Sequence, residues 1–353
     1  MAVVRPFRAL RYDETVAGAL ESLVAPPYDV IEAEQREQLL RRSAYNVVHL
    51  TLPDSEEEAG ATLADWRDRG ILVREPEPAY WWLAQEYVGP DGVARRREGF
   101  VAALRLEPYR NRVVLPHERT HAGPKEGRLR LLRATRAELE PLFFLWDGTI
   151  EVDGLGPPDL AADEGGVVSR LWRLDAEFGD ALTEELAEGE LLIADGHHRY
   201  ETALAFHEED GAEESAWLLA VIVPTDQEGL TIFPTHRVAQ AAGTAVGSPI
   251  EPPGEELPGP VLYRAGGYEL LSGNGLDPEV VERAAPTGVT YTPFREQAIA
   301  AVDRGEAEGA FLLRPTRIDD VWAVARRGDV MPQKSTFFYP KLTSGLLLLP
   351  LDE

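Results

Sequence analysis

The sequence predicts an α/β fold with a mixed sheet, and three observations carry that prediction. Residues 191–204 (Leu-Leu-Ile-Ala-Asp-Gly-His-His-Arg-Tyr-Glu-Thr-Ala-Leu) are an apolar run that stops at Asp195-Gly196. Beyond it Tyr200, Ala203, Leu204 and His207 fall on one side at three- and four-residue spacing, so a strand turns straight into a helix. Tyr80 to Val88 and Arg97 to Leu106 flank Gly89-Pro90-Asp91-Gly92, a hairpin signal. Trp217 to Val223 is a second apolar run after that helix, which predicts a β-α-β unit closed on the turn at Asp195.

The remaining elements follow in chain order. Pro6 to Leu10 is extended, Pro26-Pro27 marks a turn, and a helix runs from about Ile31 to Arg42. Val47 to Thr51 reads as a strand, followed by a helix with an acidic start through Trp66. After the hairpin, Glu126 to Leu139 is helical and Leu142 to Trp146 a buried strand. Residues 242–260, rich in Gly and Pro, read as a long loop or linker, with short strands, helices near 292–303 and 316–327, and an extended Leu346 to Pro350 beyond it. No repeat or low-complexity tract is present. The organisation expected is an N-terminal α/β region (1–150), a phosphate-binding core (151–241) and a C-terminal α/β region (242–353) that closes the site, all compatible with one continuous domain. Trp66, Trp81 and Trp82 are expected in the core or an interface, and His49 as a core histidine.

Composition bounds the function. With 353 residues and 44% hydrophobic content the chain can bury one large core or two ordinary ones. A formal charge of −26 repels nucleic acid over most of the surface, and no basic run or recognition-helix pattern stands against it, so no nucleic-acid partner is expected. The absence of cysteine excludes disulfides, thiolate nucleophiles and cysteine-ligated metals. No signal peptide begins at Met1 and no apolar stretch approaches the ~18 residues of a membrane span, which predicts a cytoplasmic protein with no membrane partner. The oligomeric state is not legible. Of 35 basic residues only Lys125, Lys334 and Lys341 are lysines, and in a chain whose habit is arginine these positions suggest a compact point charge, as where an ammonium touches a transferred phosphate.

The turn after the strand is a phosphate-binding end. The free N–H groups and positive dipole end of the helix favour an anion, and Gly196 lets the backbone approach it. His197, His198, Arg199 and Tyr200 add donors, Arg199 with the fork that fits phosphate oxygens. Pro124 opens a helix carrying Lys125 and Arg128 on one face, which also suits an anion. Lys334 and Ser335 follow the order of a P-loop but lack its glycines, so a Walker site is rejected and both are kept as ligand-facing candidates. His236-Arg237 after Pro234 brings further positive charge.

His117-Glu118-Arg119-Thr120-His121 satisfies the zinc-protease pattern H-E-x-x-H, which needs one helix through both histidines. Pro116 before it and Gly123-Pro124 after it leave little more than one turn, so a loop that turns Glu118 and Arg119 into a site is preferred over a zinc metallohydrolase.

Two resemblances add to these readings. Gly196-His197-His198-Arg199-Tyr200 with Ala203 resembles the phosphate-binding box of the ParB and sulfiredoxin superfamily, a Gly-x-x-Arg turn that holds nucleotide phosphates in ParB switches, sulfiredoxins and free serine kinases. Over the whole chain, Ala25 to Ile31, Asn46 to Leu50, His117 to Thr120, Gly123 to Glu126, Asp195 to Tyr200, Pro234 to Arg237, Met331 to Thr336 and Phe338 to Lys341 resemble the successive motifs of an uncharacterised prokaryotic family, domain of unknown function ten-fifteen. The first resemblance implies a ParB/sulfiredoxin-like nucleotide-binding core. Within that superfamily sulfiredoxin chemistry fails, because His197 stands where the cysteine is needed, and a clamp on DNA suits a −26 chain poorly. Phosphoryl transfer from ATP or ADP with Mg²⁺ to a small hydroxy metabolite remains, free serine being one acceptor. The roles expected are Asp195 for metal contact, Glu118 as general base, His198 as a further catalytic group, and Gly196, His197, His198, Arg199, Tyr200, Lys125, Arg128, Lys334, Ser335 and Lys341 around the phosphates. A nucleotide-binding sensor without catalysis is the alternative.

Overall fold

The computed structural model describes residues 1–119, 123–150, 152–174, 176–187 and 189–352. Leu142–Trp146, apolar at all five positions and buried on both faces, takes a central place in a nine-stranded mixed sheet. Across the sheet run Val114–Leu115, Leu191–Asp195, Leu142–Trp146, Trp217–Pro224, Ala94–Arg105, Tyr80–Val88, Val167–Leu174 and Leu160–Glu164, with Val4–Arg5 beside Ala94–Arg105. The central strand is antiparallel to Leu191–Asp195 and parallel to Trp217–Pro224. These two flanking strands, expected as neighbours in a β-α-β unit, therefore run in opposite directions with a third strand between them.

The period of two sorts the strands' side chains onto two apolar layers. Phe143, Leu145, Trp81, Val101 and Leu192 lie in one; Phe144, Trp146, Trp82, Phe100 and Ile193 lie in the other. Trp66 joins the first layer, as expected of a core residue. A six-stranded antiparallel sheet, His236–Ala241, Gly247–Ile250, Val261–Arg264, Gly267–Leu271, Thr287–Thr292 and Gly309–Leu312, follows, with the helices Asp277–Arg283 and Arg295–Asp303 in separate apolar clusters. The chain then returns to the first body. Val321 and Trp322 of the helix Ile318–Arg327 enter its core, Phe337–Tyr339 pairs with Thr231–Phe233, and Leu349–Pro350 pairs with Ala137–Glu138. Among the described residues no helix is long and apolar enough to cross a membrane.

Several expectations change. Val48–Thr51 is a short buried helix and not a strand, since a five-residue apolar run carries no period of its own. The helix Gly123–Thr135 stops before Leu139, because Arg136 adopts a left-handed φ of 45° and Ala137–Glu138 joins a strand pair. The stretch 242–260 contains the edge strand Gly247–Ile250 of the second sheet. The boundary expected at 150 falls inside one sheet, and residues 318–352 pack on the N-terminal body instead of continuing the 242–312 region.

Leu145 is fully buried on the central strand, so Leu145→Ala should destabilise the protein by about 2–5 kcal/mol in denaturant unfolding. Val88→Ala, at a position 56% exposed on a strand end, should change it by less than about 0.5 kcal/mol.

Candidate functional site

The strand Leu191–Asp195 passes into the helix His197–Asp210 through one residue. Gly196 has a φ of 99°, and a Cβ there would sit 3.1 Å from Leu142 Cγ and 3.2 Å from Arg199 Nη2, so the turn needs glycine. As the helix cap it offers no side chain. The helix thus starts without a side-chain cap on its first amides, those of His197 and Arg199 among them. They open on a cleft of about 560 Å³ lined by Tyr28, Asp29, Glu118, Arg119, Asp195 to Arg199, Gln333 and Lys334.

Two distant segments are tied together to form the far wall. Met331 donates its amide to the His117 carbonyl at 2.8 Å, and Arg119 donates to the Met331 carbonyl at 3.3 Å, a parallel bridge centred on Glu118. The Lys334 amide donates to Glu118 Oε2 at 3.1 Å, with Lys334 in a left-handed conformation at φ 55°. That conformation costs a non-glycine residue about 1–2 kcal/mol, and strain of this kind collects at ligand sites.

The charges are arranged unequally. Burial alone would raise the Asp195 carboxyl, but the Lys341 ammonium on Oδ1 and the Arg199 guanidinium 3.1 Å from Oδ2 override it and hold the group at about 2. Burial pushes the Glu118 carboxyl up to about 7, with Lys334 and Lys341 pulling against it. His117 is fully buried and held down at about 4 by that burial. Its Nδ1 lies 2.7 Å from the Ile193 carbonyl, which can only accept, so the proton sits on Nδ1 and Nε2 accepts from the Thr336 hydroxyl at 2.9 Å. His197 is likewise kept neutral by burial, with its ring against that of His117. The His117 amide donates to His197 Nε2 at 3.3 Å, which places the His197 proton on Nδ1.

The expected residues divide into two groups. Glu118, Asp195, Gly196, His197, His198, Arg199 and Lys334 line one cleft. Several nevertheless have other roles than those expected. Arg199 turns its fork inward, donating to the Pro141 carbonyl at 2.7 Å and to Asp195, and is 9% exposed. Lys341 is spent on Asp195. With a cation on each oxygen, Asp195 does not fit as a metal ligand, and among the described residues no group of three His, Cys, Asp or Glu side chains could hold a metal ion. Tyr200 is fully buried, stacked on Tyr109, and donates to the Glu107 carbonyl at 2.8 Å. Ser335 donates inward to the Pro332 carbonyl at 2.6 Å. Lys125 pairs with Glu201. Arg128 donates to the Thr51 carbonyl and to Glu140, and lies 3.8 Å over the Tyr28 ring.

His117 and Glu118 lie in extended chain, so no helix runs through the start of the H-E-x-x-H pentad; Thr120 and His121 lie outside the described residues. Tyr28 and Asp29, which follow the Pro26-Pro27 turn, reach the cleft. Their signal was the placing of Ala25 to Ile31 among the recurring motifs. Glu140 gave no signal, yet it accepts from the Tyr28 amide, the Ser344 hydroxyl and Arg128 at once.

The motif order and this architecture together define a family. The chain belongs to the family described as protein of unknown function (DUF1015), whose profile matches residues 4–247. No curated protein matches the chain. Solved structures with a similar fold include a conserved hypothetical protein from Pyrococcus furiosus, at 18% identity and a TM-score of 0.39 over 66% of this chain and 92% of that one. A free serine kinase in complex with AMP matches at 17% identity and a TM-score of 0.40, over 66% and 89%. C-terminally truncated SbnI from Staphylococcus aureus matches at 11% and 0.44, over 71% and 87%.

Lys341→Met should remove one of the two cations on Asp195 and destabilise the protein by about 2 kcal/mol at pH 7, measured by denaturant unfolding. The carboxyl is depressed in the folded state, so this contribution is present above its ordinary value near 3.8 and lost as pH falls toward 2; the deficit of the variant should shrink over that interval.

Proposed function

We propose that the protein is a nucleotide-dependent phosphotransferase acting on a small hydroxy compound, free serine being one candidate acceptor. The observation that carries this reading is Glu118, a carboxyl lifted to about 7 in the same cleft as an uncapped helix start and the Lys334 ammonium. A carboxyl near neutrality is suited to take a proton at working pH, and phosphoryl transfer asks for little else beyond positioning and charge neutralisation.

For a nucleotide the donor set fits. The amides of His197 and Arg199 at the helix start, the Nδ1–H of His197 and Lys334 offer hydrogen bonds and positive charge toward phosphate oxygens, with ATP or ADP as donor and His198 lining the same cleft. Glu118 then removes the acceptor's hydroxyl proton as the acceptor oxygen bonds to the terminal phosphorus. The bond from that phosphorus to its bridging oxygen breaks, and the shortened nucleotide leaves with the electron pair. Magnesium would supply charge neutralisation from the nucleotide's own phosphates, since the chain offers it no cage. Asp195 serves this scheme by holding Lys341 and Arg199 under the turn, not by binding metal. A sensor that bound nucleotide without turnover would share the helix start but would have no use for a carboxyl poised near 7.

ATP or ADP with Mg²⁺ should raise the melting temperature, and in the presence of acceptor a nucleoside di- or monophosphate should accumulate. Glu118→Gln should keep the nucleotide-induced shift and lose about 10²–10⁴-fold in kcat. Full turnover in that variant removes Glu118 from the role of base, and tight binding without any turnover in the parent leaves the sensor. Because the base acts ionised, kcat should rise with pH to a midpoint near 7 and level off above it, and Glu118→Gln should abolish that limb.

A further inference from the structure

Next to the first cleft, and sharing Arg119 and Gln333 with it, lies an open cleft of about 720 Å³ that is also lined by Arg237, Glu282 and Tyr291. Arg237 lies on the strand His236–Ala241 between Tyr291 on one neighbouring strand and Phe311 on the other, and is only 4% exposed. Its one side-chain hydrogen bond among the described residues goes to the Pro278 carbonyl at 3.1 Å, and its buried Nε has no partner. A guanidinium keeps its charge in proteins, and a buried charge without a carboxylate is costly. Of the other two buried arginines among the described residues, Arg199 is paired with Asp195, and Arg97, which has no carboxylate either, donates to Gln85 Oε1 and to the Pro340 carbonyl at 2.9 Å; Arg237 is left with a single carbonyl. Arg119, at the join of the two clefts, is 58% exposed and only loosely paired with Glu282 at 3.8 Å. Burial works against the Arg237 charge, and Glu282 and Glu118 lie near enough to favour it without bonding to it.

We propose that Arg237, with Arg119, is an oxyanion subsite for the phosphoryl acceptor, so that the acceptor is a hydroxy compound bearing a carboxylate or phosphate, held with its hydroxyl toward Glu118. The planar fork of an arginine matches either oxyanion, and an anion entering this cleft supplies the partner that the fold withholds. The proposal rests on the phosphotransferase reading for the hydroxyl and the direction of transfer, but the anion site itself does not.

The test measures binding of glycerate, glycerol 3-phosphate and glycerol at constant ionic strength, by thermal shift and calorimetry, with and without a non-hydrolysable ATP analogue. At least one of the two anions should stabilise the full-length protein while glycerol does not, and which one does so identifies the group recognised. Arg237→Gln should weaken that anion by about 10–100-fold, Arg237→Lys by less, and both should keep the nucleotide-induced shift. Should Arg237→Gln fail to give a cooperative melt, Arg119→Gln, at an exposed position, should still weaken the anion several-fold. Equal responses to the anions and glycerol, or undiminished anion binding in these variants, overturn the proposal. Absence of a nucleotide shift in the parent overturns the phosphotransferase reading instead, and the arms without nucleotide still decide the subsite.

Discussion

The carboxylate of Asp195 between Lys341 and Arg199 is the interaction on which the rest of the site depends. It stands at the end of a buried strand, where an unpaired charge could not persist, and its two cations come from widely separated parts of the chain. Arg199 is four residues on, in the first turn of the helix, so its bond to Asp195 fixes how the helix leaves the strand. Lys341 arrives from the C-terminal segment, so its bond fixes that segment across the opening. With both made, the turn at Gly196 is held from two sides and the helix-start amides face outward into the cleft.

A second consequence is a division of labour among the positive groups. Arg199 and Arg128, each with two partners, and Lys341, paired with Asp195, build the frame, while the Lys334 side chain lines the cleft. The two histidines between frame and ligand are neutral and donate through a proton whose position is set by main-chain neighbours. In the proposed reading the cleft would attract an anion through few full charges and several oriented dipoles, which limits the cost of a buried site in a chain of strongly acidic balance.

Sequence patterns reveal the elements better than the roles. Leu191 to Asp195 and the helix after it are legible because an apolar run and a helical period meet at a single glycine, and the hairpin is legible because its turn residues are specific. The neighbours of the strand Leu191–Asp195 are not, since pairing is decided by which run is apolar on both faces, a comparison between segments as far apart as Leu191 and Trp146 or Leu191 and Val114. Membership of Glu118, His197, His198 and Lys334 in one cleft follows from motif content. The inward turn of Arg199, Arg128 and Ser335 does not, because a long polar side chain can reach either way and only the buried acceptors decide. For Arg199 the i, i+4 spacing to Asp195 was a usable clue. For Arg128 the partner is Glu140, twelve residues away beyond the end of the helix, and no local spacing rule connects them.

Lys341 follows its carboxylate by 146 residues, and the wall that carries Lys334 is delivered by the same late segment. During synthesis, the strand, turn and helix around Gly196 leave the ribosome long before their counter-ion exists. A nascent chain at that stage holds Arg199 alone against Asp195 and lacks the Lys334 side of the far wall, so the cleft is complete only after nearly the whole polypeptide has emerged.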